Sequence, residues 1–143
     1  MKLFDPIRQK WVEETPEEKV RQALIKKMIK ELGFKKSLLS VEKKLDLLPN
    51  SSFQPSNRRL DILAYAKGTK GLFPLLVIEC KAIALNSEVI KQVSGYNHFI
   101  GARFMGVVNQ DSFKLFWKKK DNQLEFVDFL PTYDELISTL KTL

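Results

Sequence analysis

The acidic and basic side chains with the clearest chemical potential lie in two apolar runs of strand length, residues 58–65 and 73–82. Asp61 lies inside the first run, and Glu79 and Lys81 lie near the end of the second. Because side chains alternate between the faces of a strand, Glu79 and Lys81 share one face. Buried charge is costly unless it is paired or binds a metal. Two converging carboxylates beside a lysine are therefore compatible with a hard-cation site, and this arrangement can support metal-assisted cleavage of a phosphodiester.

A purely structural interpretation fits the same spacing. Charges at strand ends are usually solvated, and a glutamate and a lysine two residues apart can form an exposed ion pair that contributes little to stability. The spacing of Asp61, Glu79 and Lys81 by itself leaves both interpretations open.

Length and composition limit the remaining classes of protein. A chain of 143 residues that is 44% hydrophobic predicts a single domain over residues 1–143, with one core. No apolar run approaches the roughly 20 residues of a membrane helix, and the N-terminus has no signal-peptide core, so we expect a cytoplasmic protein. The 24 Lys and Arg against 17 Asp and Glu give a net charge of +7, which suits a nucleic-acid partner but also serves solubility alone.

The chain has one cysteine, Cys80, and one histidine, His98. This count excludes an intramolecular disulfide and a zinc site built from cysteine and histidine. His98 is expected to be a packing or surface residue. The two tryptophans, Trp11 and Trp117, are expected in the core rather than as platforms for base stacking.

Capping signals define the predicted helices. Thr15 is a suitable N-cap, Pro16 fits the first helical position, and Glu18 completes a capping box. This helix is expected to end near Gly33. A second helix is predicted from Asn86 or Ser87 to about residue 100, and a third follows Thr132.

The predicted strands form a central sheet. The two runs that contain Asp61 and Glu79 form a hairpin around turn residues 67–71. Along the second run, Leu75 and Val77 fall on the face of Glu79, and Cys80 falls on the opposite, core face. Further strands are predicted at 37–48, 103–110, 112–119 and 123–130, with a loop at 49–57 and a short strand or arm within 1–14.

This order of elements predicts an α/β (α+β) protein with a central mixed β-sheet flanked by helices. The helix after Lys81 is expected to be a crossover into a parallel strand that begins at Arg103.

The same residues, taken in order, resemble the PD-(D/E)XK, or restriction-endonuclease-like, nucleases. Asp61, Glu79 and Lys81 match their acid and acid-x-lysine signature, and Gln92 and Tyr96 match the Gln-x-x-x-Tyr element that several branches have on the following helix. Segments 4–8 and 15–22 resemble the N-terminal nuclease domain of type I restriction enzyme R subunits. The resemblance covers about residues 4–116 and implies the restriction-endonuclease-like core.

The resemblance implies a metal-dependent nuclease that cleaves DNA. Mg²⁺, with Mn²⁺ as a substitute, is then expected on Asp61, Glu79 and the backbone carbonyl of Cys80. Lys81 is expected to orient the attacking water or to stabilise the charge that develops on the phosphate.

Further residues receive roles from the same resemblance. Gln92 is expected to position the nucleophile or a phosphate, and Tyr96 to support it. Glu18 keeps two interpretations: the capping box, which we favour, and an additional ligand of the metal. Three residues are candidate phosphate contacts, each of which could equally be an ordinary surface charge: Arg21, Arg58 and Arg59.

Type I R subunits also contain an ATPase motor, which this chain is expected to lack because it has no Gly-x-x-x-x-Gly-Lys-Ser/Thr loop. A separate motor or specificity chain is a candidate partner. The sequence does not decide whether the chain forms a homo-oligomer. The competing hypothesis is a catalytically silent module that binds DNA or a protein.

If the chain is a nuclease, Asp61→Asn and Lys81→Ala are expected to abolish cleavage and to leave the fold intact. Asp61→Asn is even expected to raise metal-free stability, since it removes repulsion from Glu79.

Overall fold

The computed structural model describes residues 1–44 and 59–141, and eight strands and three α-helices lie within those ranges. The strands are β1 (Lys2–Asp5), β2 (Lys10–Glu13), β3 (Leu39–Lys44), β4 (Arg59–Gly68), β5 (Gly71–Cys80), β6 (Phe104–Val108), β7 (Phe113–Lys118) and β8 (Leu124–Val127). The helices are α1 (Pro16–Lys30), α2 (Ser87–Ile100) and α3 (Tyr133–Leu140), and a short 3-10 helix covers Lys36–Leu38.

Six strands form one mixed sheet in the order β3-β4-β5-β6-β7-β8. All neighbouring pairs are antiparallel except β5 and β6, which are parallel and are connected through α2. One face of the sheet packs against α1 and α3, through residues such as Ile25, Met28 and Leu136. The other face packs against α2, through Val89 and Val93. The predicted mixed sheet, flanked by helices and crossing over into a parallel strand, is therefore confirmed.

Helix ends follow local chemistry. The Thr15 hydroxyl accepts the backbone N–H of Glu18 at 3.1 Å, so the predicted N-cap of α1 is present. The Thr15 N–H, however, donates to the Glu13 carbonyl, so the reciprocal half of the predicted capping box does not form. At α3, both halves form between Thr132 and Glu135. Within the described residues, no helix is long and apolar enough to cross a membrane.

The central hairpin differs from its predicted form. β4 and β5 extend to Gly68 and Gly71, so only two residues remain for the turn that was expected over 67–71. The register shifts by one residue between Ala64 and Tyr65, opposite Pro74. Proline has no N–H to donate, which favours such an irregularity. As a result Leu75, expected on the face of Val77, packs in the cluster beneath α1 instead.

The N-terminal segment is a two-stranded antiparallel hairpin, whereas the sequence predicted one short strand or an arm. Trp11, expected in the core, has 65% of its surface exposed on this hairpin. The predicted strand at 37–48 begins at Leu39. The end of that strand and the loop expected at 49–57 lie outside the described residues.

Candidate active site

Asp61 lies where the hydrogen-bond ladders on both sides of β4 are interrupted. Pairing with β5 reaches Ile62, and pairing with β3 omits the position that would join Asp61 to Glu42. Glu42 has a φ of 57°, a conformation that is uncommon for a residue other than glycine. One carboxylate oxygen of Asp61, Oδ2, accepts the backbone N–H of Cys80 at 2.7 Å. The Asp61 side chain thereby takes the place of a backbone hydrogen bond where the pairing of β4 with β5 ends.

The other carboxylate oxygen of Asp61, Oδ1, accepts a hydrogen bond from Arg21 of α1. Its Nη2 is 2.6 Å from Asp61 Oδ1 and 2.8 Å from Glu42 Oε1, and its Nη1 is 2.7 Å from Glu18 Oε1. Burial by itself would lower the pKa of Arg21, but the bonds and charges of Asp61 and Glu18 outweigh it and raise that pKa. With 5% of its surface exposed, Arg21 lies inside the protein and not at the surface position expected for a phosphate contact.

Glu18 faces this network rather than the start of its own helix. Its Oε1 also accepts Nη2 of Arg8 at 2.7 Å, and its Oε2 accepts the amide of Gln22 at 3.1 Å. Burial would raise the pKa of Glu18, and these donors together lower it. The guanidinium of Arg21 bonds both Glu18 and Asp61, so Glu18 is linked to Asp61 through Arg21. Its favoured role, the capping box, is half formed, and its role as a metal ligand stays a prediction.

Glu79 has a less favourable environment than Asp61. Its side chain is 15% exposed, and within the ranges 1–44 and 59–141 its closest cation is the ammonium of Lys81 at 3.5 Å. Burial, followed by the negative charge of Asp61, raises the pKa of Glu79 to about 7, and Lys81 opposes that rise. The two carboxyl groups are close enough to hydrogen-bond. The structure thus brings together Asp61, Glu79 and Lys81.

Cys80, between Glu79 and Lys81, lies on the core face as expected and is fully buried. Burial raises the pKa of its thiol well above the ordinary value, which leaves a neutral side chain unsuited to nucleophilic attack. The structure gives the Cys80 N–H a defined role, as the donor to Asp61, whereas its carbonyl as a metal ligand stays a prediction.

Gln92 and Tyr96 lie one turn apart on α2, which follows β5 and packs against it. The Gln92 amide donates to the Tyr96 hydroxyl at 2.8 Å, so the two side chains are on one side of the helix as the spacing predicts. Gln92 is exposed and Tyr96 is half-buried. The catalytic role expected of the pair stays a prediction.

Of the remaining candidate phosphate contacts, Arg59 is exposed at the start of β4. Its Nη1 donates to the Glu42 carbonyl at 3.3 Å, which keeps it close to the site. Arg58 lies outside the described residues.

Sequence reasoning missed three residues of this cluster: Asp5, Arg8 and Glu42. Asp5 is fully buried, accepts the backbone N–H groups of Ile7 and Arg8, and is ion-paired with the Arg8 side chain. Arg8 in turn bonds Glu18, so the β1–β2 hairpin is attached to α1. The Asp-Pro-x-Arg turn was a local signal for this attachment. Nothing in the sequence distinguishes Glu42 from an ordinary strand residue.

A groove of about 650 Å³ gives access to this cluster. Its walls come from the β1–β2 hairpin, the start of α1, Glu42 and Ala82, the residue after Lys81. The linked side chains comprise five carboxylates (Asp5, Glu18, Glu42, Asp61, Glu79) and three cations (Arg8, Arg21, Lys81), an excess of two negative charges when Glu79 is ionised and of one when it is protonated.

Asp61 and Glu79 fit a hard divalent cation, because both offer oxygen ligands and the charge of one disfavours ionisation of the other. A cation near both would offset that repulsion and the local excess of negative charge. Across 1–44 and 59–141, no three side chains of His, Cys, Asp or Glu converge as a ready-made ligand set. Any cation here would depend on two carboxylates together with backbone or solvent oxygens.

A mixed sheet between helices, with an acid on one central strand and Glu-x-Lys at the end of its neighbour, defines a restriction-endonuclease-like α/β protein. The family model described as type I restriction enzyme R protein N terminus matches residues 16–131, and the chain belongs to this family. The match begins after the segment 4–8 that also resembled the family and extends beyond residue 116. Neither the curated proteins nor the solved structures give a match.

Proposed function

We propose that this domain is a metal-dependent nuclease that cleaves DNA phosphodiester bonds. The observation that supports it most directly is the Asp61–Glu79 pair beside Lys81. A purely structural ion pair would have no need for a second, half-buried carboxylate with a pKa of about 7. Membership of the type I restriction enzyme R N-terminal family is consistent with the same activity.

The proposed roles follow from the positions of the side chains. Asp61 and Glu79, with the carbonyl of Cys80, would hold Mg²⁺ or Mn²⁺. The ion, when bound, supplies Lewis acidity toward the scissile phosphate. Lys81 would orient the attacking water, or donate a hydrogen bond to the phosphate oxygen on which negative charge develops.

Residues around this centre would position the substrate. Gln92, with its amide held by the Tyr96 hydroxyl, would orient a phosphate or the water. Arg59, exposed beside Glu42, would contact the DNA backbone, and the expected contact by Arg58 remains part of the proposal. Arg21 would act indirectly, since its guanidinium fixes the carboxylate of Asp61.

We place this activity in the cytoplasm and on DNA, and a motor or specificity chain is a proposed partner. The net charge of +7 supports a polyanionic substrate. Binding should therefore weaken steeply as the salt concentration rises.

The test is cleavage of plasmid and of single-stranded DNA in Mg²⁺, Mn²⁺ or EDTA. Wild type should cleave only with a divalent ion, and Lys81→Ala should not cleave. Lys70→Ala, at the exposed tip of the β4–β5 hairpin, is the matched control and should retain full activity. Cleavage that persists in EDTA, or in Lys81→Ala at the wild-type rate, would contradict the proposal and indicate a contaminant or another site.

One observation favours the second candidate, a catalytically silent module that binds DNA or a protein. Both oxygens of Asp61 already accept hydrogen bonds, from Arg21 and from the Cys80 N–H. Arg21 therefore supplies positive charge where a metal ion would otherwise be needed. A wild type that never cleaves DNA, and whose melting temperature does not change with Mg²⁺ or Mn²⁺, would favour this candidate over the nuclease.

A further inference from the structure

Two exposed aromatic residues face each other across the β1–β2 hairpin. Phe4 and Trp11 are direct cross-strand partners, with ring centroids 5.4 Å apart and planes at 68°. Phe4 is 48% exposed and Trp11 is 65% exposed. The contact between the two rings stabilises the hairpin modestly. The ring faces that remain in water are available to bind a ligand.

The hairpin is fixed relative to the candidate active site. Its turn contains Arg8, whose Nη2 lies 2.7 Å from Glu18 Oε1 on α1. The buried carboxylate of Asp5 accepts the N–H groups of Ile7 at 2.8 Å and Arg8 at 3.1 Å, which holds the turn in shape. Trp11 consequently has a defined position beside α1.

Trp11 lines the same groove that reaches the active-site cluster. The groove extends from Trp11 and Lys10 on the hairpin to Arg21, Glu42 and Ala82. Lys10 and Trp11 both line this groove, which places a cation in the same groove as the aromatic ring, alongside the acidic Glu13 and Glu17. An aromatic ring with a nearby cation is the combination with which proteins bind single-stranded nucleic acid, the ring on a base and the cation on the backbone.

We propose that Trp11, supported by Phe4, stacks on an unpaired base of the strand that enters the candidate active site. The substrate class would then be DNA with unpaired nucleotides, such as single strands or frayed ends, rather than intact duplex. In a duplex the faces of the bases are covered by neighbouring bases, so a ring cannot reach them without unstacking. The inference rests on the proposed nuclease function, and the hairpin precedes the residues 16–131 that the family model matches.

The experiment measures binding without cleavage. Fluorescence anisotropy in EDTA would compare a fluorescein-labelled 12-nucleotide oligo-dT with a blunt hairpin duplex of equal charge. Trp11→Val, which keeps strand propensity, should weaken oligo-dT binding about tenfold and duplex binding less than twofold. Trp11→Phe should retain most of the affinity, because it keeps an aromatic face, but should lose the quenching of tryptophan fluorescence on binding.

Phe126→Val is the matched control, because Phe126 is a 44% exposed aromatic on β8, the strand at one edge of the sheet. It should change oligo-dT affinity less than twofold. Melting curves would show that each variant is folded before its affinity is compared.

Three outcomes would overturn the inference: unchanged oligo-dT affinity in Trp11→Val, equal losses for both probes, or an equal loss in Phe126→Val. A wild type that binds neither probe would overturn it as well. A wild-type dimer that Trp11→Val converts to a monomer, with DNA affinity unchanged, would assign the aromatic pair to contacts between copies of the chain. A wild type that binds oligo-dT through Trp11 but never cleaves would leave this inference standing and overturn only the nuclease.

Discussion

Asp61 and Glu79 lie at neighbouring positions on adjacent strands, yet their surroundings differ in kind. Asp61 accepts hydrogen bonds at both oxygens, from a buried guanidinium at 2.6 Å and a backbone N–H at 2.7 Å. The side chain of Glu79 is 15% exposed against 10% for Asp61, and the nearest cation to it among the described residues is 3.5 Å away. The folded chain thus neutralises the negative charge of Asp61 with close hydrogen-bond donors, whereas the charge of Glu79 is only partly neutralised. We call Glu79 the under-compensated carboxylate.

The two halves of the site therefore have different effects on the folded state. In the Asp61 half, Arg21 links α1 to β3 and β4, and the Cys80 N–H links β5 to β4. Removing Arg21 leaves three carboxylates without their shared cation, and removing Asp61 leaves the Cys80 N–H without its acceptor and takes one of three carboxylates from Arg21. The Glu79 half costs free energy when its carboxyl group is ionised, and a bound cation would reduce that cost. Such a division suits a site in which one carboxylate is preorganised and the other responds to a ligand.

Replacing each carboxylate by its amide should separate the two halves most clearly. If the proposed nuclease is correct, both Asp61→Asn and Glu79→Gln should reduce cleavage on the order of 10³-fold or more, since each removes charge from the proposed metal site. In the metal-free protein at pH 8, Asp61→Asn should lower the melting temperature and Glu79→Gln should raise it. The measurement is cleavage and thermal melting on the same preparations. A Glu79→Gln variant less stable than Asp61→Asn would invert the comparison.

This expectation revises the one drawn from the sequence, in which Asp61→Asn was expected to raise metal-free stability. The reason is Arg21, which the sequence had suggested as a candidate phosphate contact. Repulsion between Asp61 and Glu79 is present, as the raised pKa of Glu79 shows, but Asp61 also neutralises a buried guanidinium. Asparagine offers one acceptor oxygen in place of two, so either Arg21 or the Cys80 N–H loses its bond and faces the amide NH₂, and Arg21 keeps only two of its three carboxylates; we expect this loss to be the larger effect.

Removing the guanidinium itself is the second way to test the comparison. Arg21→Gln leaves Glu18, Glu42 and Asp61 without their shared cation, and we expect it to cost about 3 to 5 kcal/mol in free energy of unfolding. Urea or thermal denaturation without metal measures the loss. Arg59→Gln, the same substitution at an exposed arginine beside Glu42, is the control and should cost less than about 0.5 kcal/mol. Comparable losses in the two variants would mean that the buried network contributes no more than a surface contact.

The elements of the fold were largely predictable because their signals are local. Thr15 and Asn86 as helix caps, the apolar stripe of each helix and the two strand-length runs around Asp61 and Glu79 all specify structure within a few residues. The N-terminal hairpin was less visible, because Trp11 is an apolar residue that the fold leaves exposed. Composition alone favours burial of such a residue.

The sequence indicated that Asp61, Glu79 and Lys81 lie together, but not which charged residues surround them. The spacing placed Glu79 and Lys81 on one face and suggested that Asp61 converges with them. It could not show that Arg21, forty residues before Asp61, is buried against it, because such contacts depend on how α1 packs on the sheet. The conformation of Glu42 is likewise set by the interrupted ladder between β3 and β4.

The pH dependence of stability should isolate the Glu79 half. Its pKa is 4.5 ordinarily and about 7 in the folded protein. Between these values the folded state binds more protons than the unfolded state, so stability should fall as pH rises from about 4.5 to 7 and then level off. The shift corresponds to at most about 3 kcal/mol. Thermal melts of wild type and Glu79→Gln across this range measure the effect as the difference between the two curves, and parallel curves would contradict it.

The smallest expected effect is the rise in melting temperature on adding metal. It tests whether a cation binds beside Glu79. At a free Mg²⁺ concentration ten times the dissociation constant, binding to the folded state alone adds about 1.4 kcal/mol. That is roughly a 3 to 6 °C rise in melting temperature for a domain of this size. Potassium chloride at matched ionic strength is the control and should not reproduce the rise. Glu79→Gln should lose most of the response, since the ionised carboxylate that the ion relieves is gone. Arg59→Gln should keep it, because that arginine is outside the carboxylate pair. A response that survives in Glu79→Gln at full size would place the cation elsewhere, and the contrast between the two carboxylates would then concern folding alone.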